Sequence, residues 1–146
     1  MHESHRDGYT VSTDPARLDV DLIHGFLTTS YWAEGVTREQ LRRAIAHSMC
    51  FGIYHDETAA QVGFARVVTD RATFGYLSDV FVVEGHRGRG LARWLTRSIL
   101  DHPELQGFRR WMLATRDAHD VYASVGFEPL DAPERLMQYL PSRQPR

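Results

Sequence analysis

The sequence predicts a mixed α/β sandwich built as one domain, and three observations carry that prediction. Apolar residues repeat with a helical period near the N-terminus. The period then changes to strand-like alternation over three successive runs between about 50 and 83, and beyond them the chain alternates helix, strand, helix and strand. A meander followed by that alternation is a mixed α/β sandwich.

Taken in order, Leu18, Leu22 and Phe26 recur every four residues and mark a first helix from about Leu18 to Thr28. Thr37-Arg38-Glu39-Gln40 fits a capping box, and Leu41, Ile45 and Met49 form the apolar stripe of a second helix. Cys50 to Tyr54 and Gln61 to Thr69 are β-rich runs joined by the polar turn His55-Asp56-Glu57-Thr58, which predicts an antiparallel hairpin. Asp70-Arg71-Ala72 turns the chain into a long strand from Thr73 to Val83. Leu91, Trp94, Leu95, Ser98 and Ile99 then follow a helical stripe that Pro103 ends. Arg110 to Ala114 reads as a strand, Ala118 to Val125 as a last helix closed by Gly126, and Leu136 to Leu140 as a terminal strand.

With 146 residues, 42% of them apolar, one hydrophobic core suffices and two domains would each be undersized. The reading is therefore a single domain over 1–146 with its core at about 9–140, and with loose ends at 1 to about 8 and at Pro141 to Arg146. No run approaches the roughly 18 to 20 apolar residues that cross a bilayer, and Met1 to Asp7 lack the apolar core of a signal peptide. A cytoplasmic protein without a membrane partner is the expectation. A net charge of -2 argues against a nucleic-acid partner, which needs a basic stripe to displace counterions. All 17 basic residues are Arg, and neither Lys nor Asn occurs, as a GC-rich genome would produce. The eight histidines show neither HExxH spacing nor a neighbouring CxxC, so no metal is expected. Cys50, the single cysteine, sits in the apolar run Met49-Cys50-Phe51-Gly52-Ile53 and reads as a small core residue.

The chemistry concentrates in Val80-Phe81-Val82-Val83-Glu84-Gly85-His86-Arg87-Gly88-Arg89-Gly90-Leu91-Ala92, where an apolar strand meets an amphipathic helix through a turn of Gly and Arg. The first turn of a helix leaves amides without intrahelical partners and carries partial positive charge, so this junction suits a diphosphate. Gly88 and Gly90 give backbone access, and Arg87 or Arg89 adds charge. A Walker A loop is excluded because it requires Lys, and the glycines at 85, 88 and 90 run GxxGxG rather than GxGxxG. Glu84 and His86 read as solvated loop residues, with His86 close enough to assist a phosphate.

Arg87-x-x-Gly90-x-Ala92 resembles the Q/R-x-x-G-x-G/A signature of the GNAT superfamily of N-acetyltransferases. Downstream, Asp120-Val121-Tyr122-Ala123-Ser124-Val125-Gly126-Phe127 resembles that family's tyrosine-bearing helix and its GF turn. The resemblance implies a GNAT-like fold, an α/β arrangement with a central, mostly antiparallel, twisted sheet of about six to seven strands and helices on both faces, in which two splayed strands form a cleft for acetyl-CoA, the co-substrate. It places Phe81, Val82, Val83, Arg87, Gly88, Arg89, Gly90, Leu91, Ala92, Thr115, His119 and Tyr122 against the cofactor, although the family commonly has Asn near the Thr115 position. It implies transfer of the acetyl group to a primary amine, on a small molecule or an exposed peptide or protein amino group, by direct attack in a ternary complex. A homodimer is a further expectation, because the family often dimerises.

An amine attacks a thioester only when unprotonated, so a proton must be accepted and one returned to the thiolate. The resemblance matches Tyr122 to the family's tyrosine that hydrogen-bonds the CoA sulfur, which makes it the candidate general acid; its competing role is a packed aromatic beside Val121 and Val125. Asp79 is the candidate base, since alternation along Leu77, Asp79 and Phe81 places a carboxylate on an apolar face; alternatively it pairs with Arg66 on the neighbouring strand. The resemblance places the acceptor-binding loop between the first two helices, at Tyr31, Trp32 and Glu34, and Arg66 and Asp79 are the further acceptor-side candidates. Two other functions share these features: a non-catalytic CoA-binding module, and transfer of a different acyl group or transfer to an alcohol.

Overall fold

The computed structural model describes residues 2–145. One six-stranded sheet runs in simple sequence order, β1 (Glu3–Arg6), β2 (Tyr9–Ser12), β3 (Met49–His55), β4 (Gln61–Thr69), β5 (Phe74–Val82) and β6 (Arg110–Leu113). All neighbours are antiparallel except β5 and β6. That parallel step requires a crossover, supplied by α3 (Leu91–Leu100).

Helices cover both faces. On one, Ile23 and Leu27 of α1 (Val20–Leu27) and Leu41 of α2 (Arg38–Ala46) pack with Cys50, Phe64 and Phe81. On the other, Leu91, Leu95 and Ile99 of α3 pack with Phe51, Ile53, Val67 and Leu77. Asp19 caps α1 by accepting from the Leu22 amide at 3.1 Å. The capping box of α2 is present, with the Gln40 amide donating to Thr37 Oγ1 and the Thr37 amide to Gln40 Oε1. Thr37→Ala removes one half of it, and an equilibrium urea melt is expected to show a loss of about 1 kcal/mol.

Three sequence expectations are corrected. Residues 3–6 are not a loose end but pair with β2 around a turn at Asp7 (φ 49°) and Gly8 (φ 85°). Asp-Gly is a strong hairpin signal, masked here by the polar strand Glu-Ser-His-Arg in front of it. Leu136 to Leu140 is not a strand, because among the described residues no strand lies beside it to bond its backbone. The last helix, α4 (His119–Ala123), is shorter than Ala118 to Val125.

Candidate active site

β5 and β6 pair only from Phe74/Arg110 to Leu77/Leu113, whereas β5 runs on to Val82. Beyond Leu77 the two strands therefore diverge, and the β6-side edge of 78–82 carries no neighbouring strand. A cleft of about 880 Å³ opens there. Asp79, Phe81, Val82, Arg87, Ala92, Thr115, Tyr122, Tyr31 and Trp32 line it, which brings together expected residues from five separate stretches. Of the other expected residues, Arg66 stands behind Asp79, the exposed His119 opens α4 outside the lining, and Val83, Gly88, Arg89, Gly90 and Leu91 also lie outside it, with Leu91 packed in the α3-side core and Arg89 beside a separate small pocket at Tyr9.

At one end of the cleft lies the Gly/Arg turn. Gly88 and Gly90 have φ of 79° and 73°, and Gly90 stands at the N-cap of α3 with no side chain capping the first-turn amides. No side chain or backbone lies within 4 Å of a Cβ built on either glycine. Left-handed backbone, not crowding, accounts for glycine here. Arg87 Nε donates to Val82 O at 2.8 Å and braces the turn against the end of β5, and both Arg87 and Arg89 are exposed. His86 accepts or donates at Nδ1 with Tyr9 Oη, 2.7 Å away, tying the turn to β2. This link between β2 and the turn spans 77 residues, so no local pattern announces it.

Asp79 sits at a β-bulge. Arg66 pairs with Ser78 but Phe64 pairs with Phe81, so β5 spends an extra residue there, and Asp79 adopts φ 56°. The bulge reverses side-chain alternation: Leu77 packs in the α3-side core and Phe81 in the α1-side core. The single face expected for Leu77, Asp79 and Phe81 is thus corrected. The Asp79 carboxylate is nearly buried and accepts from Arg66 Nε at 2.8 Å and from Trp32 Nε1 at 2.9 Å. Arg66 also donates to Ser48 Oγ. The carboxylate therefore anchors the 28–37 loop to the bulge. Asp79→Asn keeps the acceptor for Trp32 but leaves Arg66, 18% exposed, without a counter-charge; a loss of about 2 to 3 kcal/mol is expected in thermal or urea unfolding.

The same loop spans the mouth of the cleft. Arg116 lies 3.9 Å from the Tyr31 ring centroid, and its amide donates to Tyr31 Oη at 3.2 Å. Tyr122 is half-buried in the opposite wall, edge-on to Phe127. Burial, with a smaller contribution from Tyr31, pushes its phenol up to about 12, so it stays protonated at neutral pH. Cys50 lies apart in the α1-side core, and burial pushes its thiol up to about 12 as well. A neutral buried thiol does not serve as a nucleophile. Among the described residues no cluster of His, Cys, Asp and Glu is arranged to hold a metal ion, and no helix is long and apolar enough to cross a membrane.

Splayed strands, an uncapped helix start at the cleft's end and a protonated phenol in its wall together define an acyltransferase architecture. The chain belongs to the acetyltransferase (GNAT) family, whose model matches residues 19–127. It is 37% identical over 138 residues to a proposed acetyltransferase of Gibberella zeae, covering 80% of this chain and 77% of that one. A GNAT-family crystal structure from Xanthomonas campestris pv. campestris is 47% identical and superposes with a TM-score of 0.88, covering 95% of this chain and 98% of that one. A structure from Clostridium acetobutylicum, solved with acetyl-CoA, shares the fold with a TM-score of 0.64 at 14% identity, over 93% and 97% of the two chains.

Proposed function

We propose that this protein carries the acetyl group of acetyl-CoA to a primary amine, on a small molecule or an exposed peptide or protein amino group, by direct attack within a ternary complex. The observation that carries the reading is the juxtaposition in one cleft of the uncapped α3 start and the Tyr122 phenol. The first-turn amides and the exposed Arg89 hold a diphosphate. The unpaired edge of 78–82 then receives an extended amide arm as a strand would, and the thioester comes to lie between the diverging strands.

Tyr122 donates a hydrogen bond to the sulfur as it gains charge. Full proton transfer from a phenol at about 12 to a thiolate near about 8.5 runs uphill, so the phenol acts as a hydrogen-bond donor, and the thiolate takes its proton from the amine it has just left behind. Asp79 holds Trp32 and Arg66 on the acceptor side, and the exposed Trp32 ring borders the acceptor's approach beside Tyr31, one face of which Arg116 covers. Both Asp79 oxygens already accept a hydrogen bond, which fits an anchor of the acceptor wall better than a free base.

Binding calorimetry with acetyl-CoA, followed by thiol release across a panel of amines, tests the proposal. Affinity with amine-dependent thiol release supports it. Affinity without turnover on any amine favours a CoA-binding module, and no affinity for acetyl-CoA overturns both.

A further inference from the structure

The arginines around the cleft differ in what their guanidinium groups hold. Arg66 donates to Asp79 and Ser48, Arg87 to Val82 O and Arg97 to Val125 O. The Arg116 guanidinium makes no hydrogen bond among the described residues. Its nearest carboxylate, Asp117, stands 3.9 Å away, and the two side chains are 66% and 71% exposed. A pair that long and that open contributes little and leaves the donors of Arg116 free.

That fork is nonetheless held in place. Its central carbon lies 3.9 Å from the centroid of the Tyr31 ring while the Arg116 amide donates to Tyr31 Oη, so one aromatic residue fixes it by side chain and by backbone. A guanidinium already seated on a ring loses less freedom on binding, and its parallel N–H donors match the two oxygens of a carboxylate. It lines the same cleft as Tyr31, Trp32 and Tyr122. Tyr31 is near enough to Tyr122 to add to the upward push on its phenol, which puts the fork about one side chain from the reacting centre. The rest of this end offers little to a second ammonium. Both Asp79 oxygens are occupied, by Arg66 and by Trp32, and the remaining wall is Phe26, Trp32, Tyr76 and Ser78.

We infer that the acceptor is an amine bearing a carboxylate a few bonds from its nitrogen, as an amino acid does, and that Arg116 binds this carboxylate through paired N–H donors. The inference rests on the acetyl transfer proposed above and adds the class of the acceptor. In that step the neutral nitrogen bonds to the thioester carbonyl carbon, the C–S bond breaks, and the proton shed by nitrogen ends on the leaving sulfur. The products are the free thiol and an N-acetylated amino acid. The carboxylate takes no part in bond making, so Arg116 acts by choosing the acceptor and aiming its nitrogen.

Thiol release from acetyl-CoA with matched acceptors tests this: a set of α- and short ω-amino acids, the carboxamide of each, and spermidine. A carboxamide keeps the body and the amine but lacks the charge. For the best acid, kcat/KM is expected to exceed that of its carboxamide by about 10- to 100-fold. Arg116→Gln is expected to bring this ratio to within about threefold of one by raising KM for the acid, while calorimetric affinity for acetyl-CoA stays within about threefold of wild type. Arg116→Lys keeps the charge without the fork and is expected to restore part of the ratio. Carboxamides or spermidine turned over as fast as the acids overturn the inference and leave transfer to amines standing, and a ratio that survives Arg116→Gln does the same. Acetyl-CoA affinity without thiol release on any acceptor overturns the transfer itself, and the acceptor class falls with it.

Discussion

Gly90→Asp is expected to lower acetyl-CoA affinity by more than about 100-fold while the protein stays folded. Asp tolerates the left-handed region better than most residues, and open space surrounds a Cβ at this position, so the φ of 73° costs only about 1 kcal/mol. The new carboxylate would stand beside the uncapped first-turn amides of α3, where the proposed diphosphate binds. At about 5 Å, with an effective dielectric near 20, each unit of like charge costs about 3 kcal/mol. A bound diphosphate presents more than one such unit. Calorimetric titration with acetyl-CoA reads the loss, and circular dichroism confirms the fold. A dissociation constant within about threefold of wild type would place the diphosphate somewhere else and remove the basis of the proposed chemistry.

The second large effect is expected from Tyr122→Phe. The ring still packs edge-on against Phe127, so stability should hardly change. What is lost is a hydrogen bond to a sulfur that is uncharged in the thioester and anionic as it leaves. Hydrogen bonds to charged partners contribute about 1.5 to 3 kcal/mol, so kcat should fall by about 10- to 150-fold with KM for acetyl-CoA nearly unchanged. The pH profile adds a check on the residue's state. Since burial holds the phenol at about 12, wild-type activity should rise with pH as the amine loses its proton, without a falling limb from Tyr122 below roughly pH 11. Undiminished turnover in the variant would leave Tyr122 as a packing residue alone.

The hydrogen-bonded neighbours of Asp79 show where sequence reasoning reaches its limit. Placing a carboxylate near the cleft needed only the strand pattern, and the pairing with Arg66 followed from strand adjacency. Which face it occupies depended on a bulge, and a bulge is an irregularity in the register between two strands that leaves no mark in the period of either one. Trp32 lies 47 residues away, and only the packed loop shows that its indole donates to that carboxylate.

Read from residues alone, the apolar periods, the Thr37 box and the Gly/Arg turn were enough for the order of the main helices and strands and for the anion-ready start of α3, while Tyr122 as candidate general acid followed from the family resemblance. Each is a local pattern, set by neighbours within a turn or two of chain. The folded molecule alone settled the face of Asp79, the bridge from Tyr31 to Arg116 across the cleft, the link from His86 to Tyr9, and the lack of a strand beside Leu136–Leu140 among the described residues. Those depend on contacts between segments far apart in the chain, where packing and backbone pairing decide among arrangements that local propensity treats alike.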